Sequence, residues 1–245
     1  MIILLMLISY PISTVFIYKI LKHFKVNLLW TICGAVALTF MAPQVFRLTG
    51  HFSMSYVFAV PIMWYLLIKT SSGSAIKWNI ITSGYLMVFY FTHPYLGLIL
   101  TVFALAYWLV DAWMNRKTKG TIKQAIINIS FQVALPIVAF QVLVALNDPH
   151  VGRLNNPAGF FYMYATLKSL LVAHHGPILA IKPYLGLECG NWESWSYIGL
   201  GTMLYGLVIL GYVLKNRKII AFKKQVKTPL FIFFIASIIV LLFAM

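Results

Sequence analysis

Residues able to do chemistry are few in this 245-residue chain, which holds six histidines, four acids and two cysteines. Cys33 and Cys189 stand apart, so there is no CxxC metal or redox motif and no disulfide-rich scaffold. Among the acids, Glu193 has the most informative neighbourhood, Glu188-Cys-Gly-Asn-Trp-Glu193. A carboxylate there can act on a hydroxyl as a general base or steady a metal-bound phosphate. It can equally sit in the first turn of a helix capped by Asn191, where the macrodipole favours negative charge. Trp192 beside it can stack on a sugar ring or belong to an interfacial aromatic belt. Arg47 and His51 close the stretch Pro43-Gln-Val-Phe-Arg-Leu-Thr-Gly-His51. A guanidinium forks well onto phosphate, and it also snorkels readily at an interface. Asp148, His150 and Arg153 lie between Asn147 and Asn155-Asn156-Pro157, either as a polar binding patch or as solvated loop side chains. His174 and His175 are adjacent, about 100° apart on a helix, so joint ligation is geometrically poor. With no HExxH, Cys/His or paired-carboxylate spacing, the sequence offers no metal site.

The elements that must position these groups are set by composition. At 62% apolar and 9% charged the chain is not a water-soluble globule, since soluble domains carry about 25% charged residues. The net charge of +15 would suit a nucleic-acid partner in a soluble protein, but here it reads as membrane topology, and a nucleic-acid role is set aside. Crossing the hydrocarbon core takes about 20 mostly apolar residues. On that measure the sequence predicts an all-α, polytopic integral membrane protein with about eight spans, near 2–20, 28–46, 52–68, 78–92, 94–114, 124–146, 195–214 and 228–244. The whole of 1–245 reads as one membrane domain.

Orientation follows from the breaks between spans. An extracytoplasmic amino terminus places Lys19, Lys22, Lys25, Lys69, Lys77, Arg116, Lys117, Lys119, Lys123 and the six basic residues of 215–227 on the cytoplasmic side, fifteen of the nineteen. Only Arg47, Arg153, Lys168 and Lys182 fall outside, as the positive-inside bias requires. A hairpin turning at His93-Pro94 is part of this scheme, because proline disfavours helix in the residue before it. One long helix over 78–114 would instead put most of the basic residues outside. The amino-terminal run has no basic residue before it and no small-residue cleavage pattern, and reads as a first span.

The long segment 147–192 is then extracytoplasmic. Within it Phe160, Met163, Tyr164, Leu167, Leu170 and Leu171 recur at helical spacing, which predicts a short amphipathic helix at the membrane surface, ended by Gly176-Pro177. Five histidines (His51, His93, His150, His174, His175) and three acids (Asp148, Glu188, Glu193) gather on that outer face. Polar groups near a bilayer are candidates for function by default. Asp111 is expected to pair at the other interface with Arg116 and Lys117, and the 215–227 run has enough charge to sit against anionic lipid. The sequon Asn128-Ile-Ser130 falls inside a span and reads as chance.

Four segments, in order, carry a resemblance. Arg47-Leu-Thr-Gly-His51, Thr92-His93-Pro94-Tyr95-Leu96, Gly159-Phe160-Phe161-Tyr162-Met163 and Glu193-Ser-Trp-Ser-Tyr197-Ile-Gly199-Leu-Gly201 resemble bacterial GT-C-type membrane glycosyltransferase-like proteins, including an uncharacterised polytopic group with HPY and ExxSYLGLG-like signatures. The resemblance covers about 28–214. It implies a multi-pass protein of the bacterial cytoplasmic membrane that takes a sugar from a polyprenyl-phosphate donor at the extracytoplasmic face. On that reading Arg47 and His51 hold the donor phosphate, His93 lines the groove, and Glu193 is the catalytic carboxylate, orienting the acceptor or a divalent cation. Tyr95, Asp148, His150, Arg153, His174, Glu188, Trp192 and Tyr197 complete the substrate-binding set. The chain departs from the family in its first break, which is basic where the family carries an acidic outer loop. That departure favours a piece of a longer architecture, or a short relative without catalysis. Two other classes remain: a non-catalytic scaffold of an envelope-polysaccharide assembly, and a transporter or flippase component, although no charged residue lies near the middle of a span.

Overall fold

The computed structural model describes residues 2–42, 44, 55–72, 75–148, 207 and 231–239. The chain divides into two compact units, Met1–Pro149 with Gln225–Val240 and His150–Lys224 with Leu241–Met245. Of the second unit only Leu207, which is helical, is described. The first unit contains every helix discussed below.

Its described residues form helices and turns, with no strand among them. In chain order the helices are α1 (Ile2–His23), α2 (Leu28–Phe40), α3 (Ala59–Ser72), α4 (Ala75–Thr92), α5 (Pro94–Met114), α6 (Thr121–Ile129) and α7 (Leu135–Asn147). Between α6 and α7 the wider π turn Ser130–Ala134 keeps the chain helical throughout. Residues 231–239 form a further helix. Among the described residues, three stretches, Leu4–His23, Pro94–Met114 and Thr121–Asn147, are long and apolar enough to cross a membrane. A helix satisfies its own backbone hydrogen bonds, which is the requirement hydrocarbon imposes.

Local chemistry fixes the ends. After α1, the Val26 amide donates to the Leu21 carbonyl and the Lys25 amide to that of Lys22. With Lys25 left-handed at φ 59°, this is the Schellman arrangement that satisfies the last carbonyls of a helix. Asn27 then caps α2, its side chain accepting from the Leu29 amide at 3.0 Å. α1 and α2 meet where the Thr14 hydroxyl donates to that of Thr39 at 3.1 Å and the Tyr10 ring stacks on Phe40, while the buried Ser13 hydroxyl donates to the Val57 carbonyl ahead of α3.

Several boundaries differ from expectation for identifiable reasons. α2 ends at Phe40 instead of continuing to residue 46, because Ala42 precedes Pro43 and is pushed out of the helical region. At 13 residues it is about 20 Å long. α3 begins at Ala59 instead of 52, and Pro61 falls in its first turn, where a missing N–H removes no intrahelical bond. α4 starts a turn earlier than 78 and reaches 18 residues, about 27 Å. Lys77, Asn79, Thr82 and Ser83 keep it less apolar than the three long stretches. The span expected at 195–214, apart from Leu207, and the surface helix expected within 159–175 lie outside the described residues. Residues 231–239 fall within the span expected at 228–244.

The hairpin between α4 and α5 turns at His93-Pro94, so one continuous helix over 78–114 is excluded. α5 is the central element, with 56% of its most apolar window buried against 22% for the α1 stretch and 17% for α6–α7. Its Leu100, Phe103, Ala104, Tyr107 and Trp108 pack with Met63 and Leu67 of α3 and Leu86 of α4. The 231–239 helix closes one side, its Phe233 ring stacked on Trp64 at 3.5 Å and set edge-on to Phe103 at 5.3 Å. By contrast Leu4, Leu7, Leu28, Leu29, Trp30 and Ile80 are exposed, an outer surface suited to lipid.

Gly97 permits the close crossing of α4 and α5, since a Cβ there would lie 2.9 Å from the Tyr90 backbone nitrogen. Gly97→Ala should therefore lower the thermal midpoint of the detergent-purified protein, by about 1–3 kcal/mol of stability. Gly84→Ala, whose Cβ meets nothing within 4 Å, should leave the midpoint in place. Equal midpoints for the two variants would contradict this crossing.

Candidate functional site

Contacts between helix ends establish which residues share an end of the bundle. Lys19 on α1 and Lys69 on α3 both lie over the Tyr65 ring, at 5.5 and 5.4 Å, so the carboxyl ends of α1 and α3 are together. Asn79 near the start of α4, Trp108 near the end of α5 and Asn128 on α6 belong to one hydrogen-bonded cluster with Thr70. These links bring nine basic residues to one end: Lys19, Lys22, Lys25, Lys69, Lys77, Arg116, Lys117, Lys119 and Lys123. They are nine of the fifteen that the topology grouped together.

The opposite end carries the described candidates. His93 caps α5: its Nδ1 accepts from the Leu96 amide at 3.2 Å, and Pro94 occupies the first helical position with its fixed φ. The cap thus uses the Nδ1 lone pair of the imidazole. Tyr95, 54% exposed, presents its ring edge-on to His93 at 6.3 Å. Asp148 terminates α7, its backbone N–H bonded to the Val144 carbonyl at 2.9 Å and its own backbone extended. Phe140 of α7 contacts both Tyr90 and Phe91 of α4, so α7 runs alongside α4 and delivers Asp148 to the end where His93 lies. The structure thus brings His93 and Tyr95 together and sets Asp148 on the same end. Arg47, His51, His150, Arg153, His174, Glu188, Trp192, Glu193 and Tyr197 lie outside the described residues, as does Cys189. Among the described residues no three His, Cys, Asp or Glu side chains converge as metal ligands.

Asp111 has a different partner from the one expected. Its carboxylate accepts from the Asn115 side chain at 2.8 Å, one turn along α5, with no ion pair to Arg116 or Lys117. A partner four residues on lies on the same helix face, whereas Arg116 and Lys117 belong to the turn that follows the helix.

Sequence reasoning missed the largest polar feature, a buried carboxamide cluster toward the basic end. Gln132, fully buried, accepts from the Trp108 indole N–H at 2.8 Å and donates to Asn79 and, at 3.4 Å, to Thr70. Asn128, also fully buried, accepts from Asn79 and from Gln124, each at 2.9 Å. One connected set of side chains thereby ties α3, α4, α5, α6 and the π turn. The signal was present as Gln124, Asn128 and Gln132 at four-residue spacing, of which only Asn128 enters the sequence reading, as a chance sequon. The π turn at Ser130–Ala134 places the adjacent Gln132 and Val133 both in the interior, and such turns often mark functional or mechanically important positions. Its burial also removes Asn128 from consideration as a glycan acceptor.

The class these observations define is an all-helical protein with several helices suited to a bilayer and a polar interior joining them. It belongs to the family described as a domain of unknown function, DUF6311, whose profile matches residues 2–245. No curated protein and no solved structure matches the chain.

Gln132→Leu would orphan the Trp108 indole and the Asn79 carbonyl. An unpaired buried polar group costs about 1–3 kcal/mol, so the variant should unfold at lower temperature or lower dodecyl sulfate concentration than wild type. Gln124→Leu, at the edge of the cluster, should have the smaller effect. The reverse order would place the centre of the cluster elsewhere.

Proposed function

We propose that this DUF6311 protein is a multi-pass protein of a bacterial cytoplasmic membrane, with about eight spans and an extracytoplasmic amino terminus. Its outer face engages a polyprenyl-phosphate-linked sugar in the manner of GT-C-type glycosyltransferases. The observation that supports this reading is the polarity of the bundle: nine basic residues at one end, with His93, Tyr95 and Asp148 at the other. With the basic end cytoplasmic, as the positive-inside bias demands, the three candidates face the side where polyprenyl-linked sugars would be used. Their chemistry suits a sugar phosphate. An imidazole and an exposed tyrosine offer ring surfaces and hydrogen bonds to a pyranose, and Arg47 with His51 supplies the positive charge that a phosphate leaving group requires. Glu193 is the carboxylate assigned to take the acceptor's proton.

Membranes containing the protein should transfer label from a polyprenyl-phosphate sugar to an acceptor. Glu193→Gln should lower the rate by roughly a hundredfold or more, the usual contribution of a general base. His93→Asn retains a residue able to cap α5, so it should weaken donor use while leaving the thermal midpoint close to wild type. Donor retention without transfer would assign the protein to the scaffold role. Neither retention nor transfer would overturn the reading.

A further inference from the structure

Lys19 and Lys69 come from different helices, yet their ammonium groups share one aromatic ring, at 5.5 and 5.4 Å from the centre of Tyr65. Lys19 also lies 4.9 Å from Phe16, whose ring meets Tyr65 edge-on at 5.2 Å. Like charges gathered in this way need compensation. The two helix carboxyl ends nearby supply roughly half a negative charge each, less than the two ammonium groups carry. Neither lysine forms an ion pair with a carboxylate among the described residues, and Asp111 is engaged by Asn115.

We propose that Lys19 and Lys69 form a binding site for the phosphate of an anionic phospholipid. Both ammonium groups are held against the Tyr65 ring, and their flexible ends can close on a single phosphate from two directions. Tyr65 and Phe16 then serve as a rigid floor that excludes water beneath the ion pair. The lipid source is favoured over a soluble ion by the apolar surface exposed at the same end of the bundle. Across the four-residue turn from α1, the start of α2 exposes Leu28, Leu29 and Trp30, the last at 69%, apolar surface that an acyl chain can cover. This site is at the basic end and does not depend on the sugar chemistry proposed for the other.

Native mass spectrometry of the full chain, equilibrated with equal amounts of dioleoyl phosphatidylglycerol and dioleoyl phosphatidylcholine, tests the proposal. Wild type should retain the anionic phosphatidylglycerol preferentially, and retention should fall about fivefold for each lysine removed, in K19Q and again in K19Q/K69Q. K19R/K69R should keep it, which also shows that the positions tolerate substitution. K117Q/K119Q, with the same charge change in the turn after α5, should behave as wild type. Unchanged retention in K19Q/K69Q, or an equal loss in K117Q/K119Q, would overturn the site in favour of diffuse surface charge. Displacement of the lipid by millimolar inorganic phosphate would assign the pair to a soluble ion and overturn the lipid reading.

Discussion

The carboxamide of Gln132 is the group on which the arrangement of the bundle depends. Helices in hydrocarbon gain little from burying apolar side chains against one another, because lipid is as apolar as leucine. Association is then decided by close packing and by polar groups that have nowhere else to go. Gln132 accepts from Trp108 and donates to Asn79 and Thr70, so α3, α4 and α5 are fixed to the π turn by one side chain. Asn128 adds a second junction one turn away. Gln132 both accepts and donates, whereas Asn128 joins its two partners through its carboxamide oxygen alone; a neutral group of this kind joins several helices without the desolvation cost of a buried charge.

With that junction set, the rest of the topology follows. The linked portions of α3, α4, α5 and α6 lie toward the basic end, so the turns carrying Lys77, Arg116, Lys117, Lys119 and Lys123 are drawn together. α4 and α5, held close at Gly97, extend the hairpin to the far end, where His93 is spent as a helix cap and Tyr95 is left exposed. The continuation through the π turn carries α7 alongside α4 and places Asp148 on that same end. Chemical polarity between the two ends is therefore a consequence of interior hydrogen bonding as much as of surface charge. At His93 the Nδ1 is committed to the backbone while the ring meets Tyr95 edge-on.

The helical class was legible because apolar runs interrupted by Lys and Arg admit no other economical reading, and the His93-Pro94 break because proline acts locally through its own backbone. Boundaries were less legible where a proline lay near an end: Pro43 shortens α2 from the outside, while Pro61 is accommodated inside the first turn of α3. Charge-based reasoning found the basic end correctly but passed over Thr70, Asn79, Gln124, Asn128 and Gln132, whose importance comes from contacts across helices that no single span reveals. Asp111 illustrates the same limit, since composition suggested a cation and geometry supplied Asn115. Of the site, only His93, Tyr95 and Asp148 fall in the described residues; the turn at His93-Pro94 was legible from the proline, but the capping of α5 by the His93 ring was not.

The most direct test of the account is the sidedness of its two ends. In a Cys33→Ser, Cys189→Ser background, Tyr95→Cys and Thr118→Cys would be reacted with a membrane-impermeant maleimide in intact cells and again after lysis. The account predicts that the cysteine at 95 is labelled in intact cells and the one at 118 only after lysis. Labelling of both in intact cells would contradict a membrane-spanning bundle with opposed ends, and the reverse pattern would place His93, Tyr95 and Asp148 in the cytoplasm.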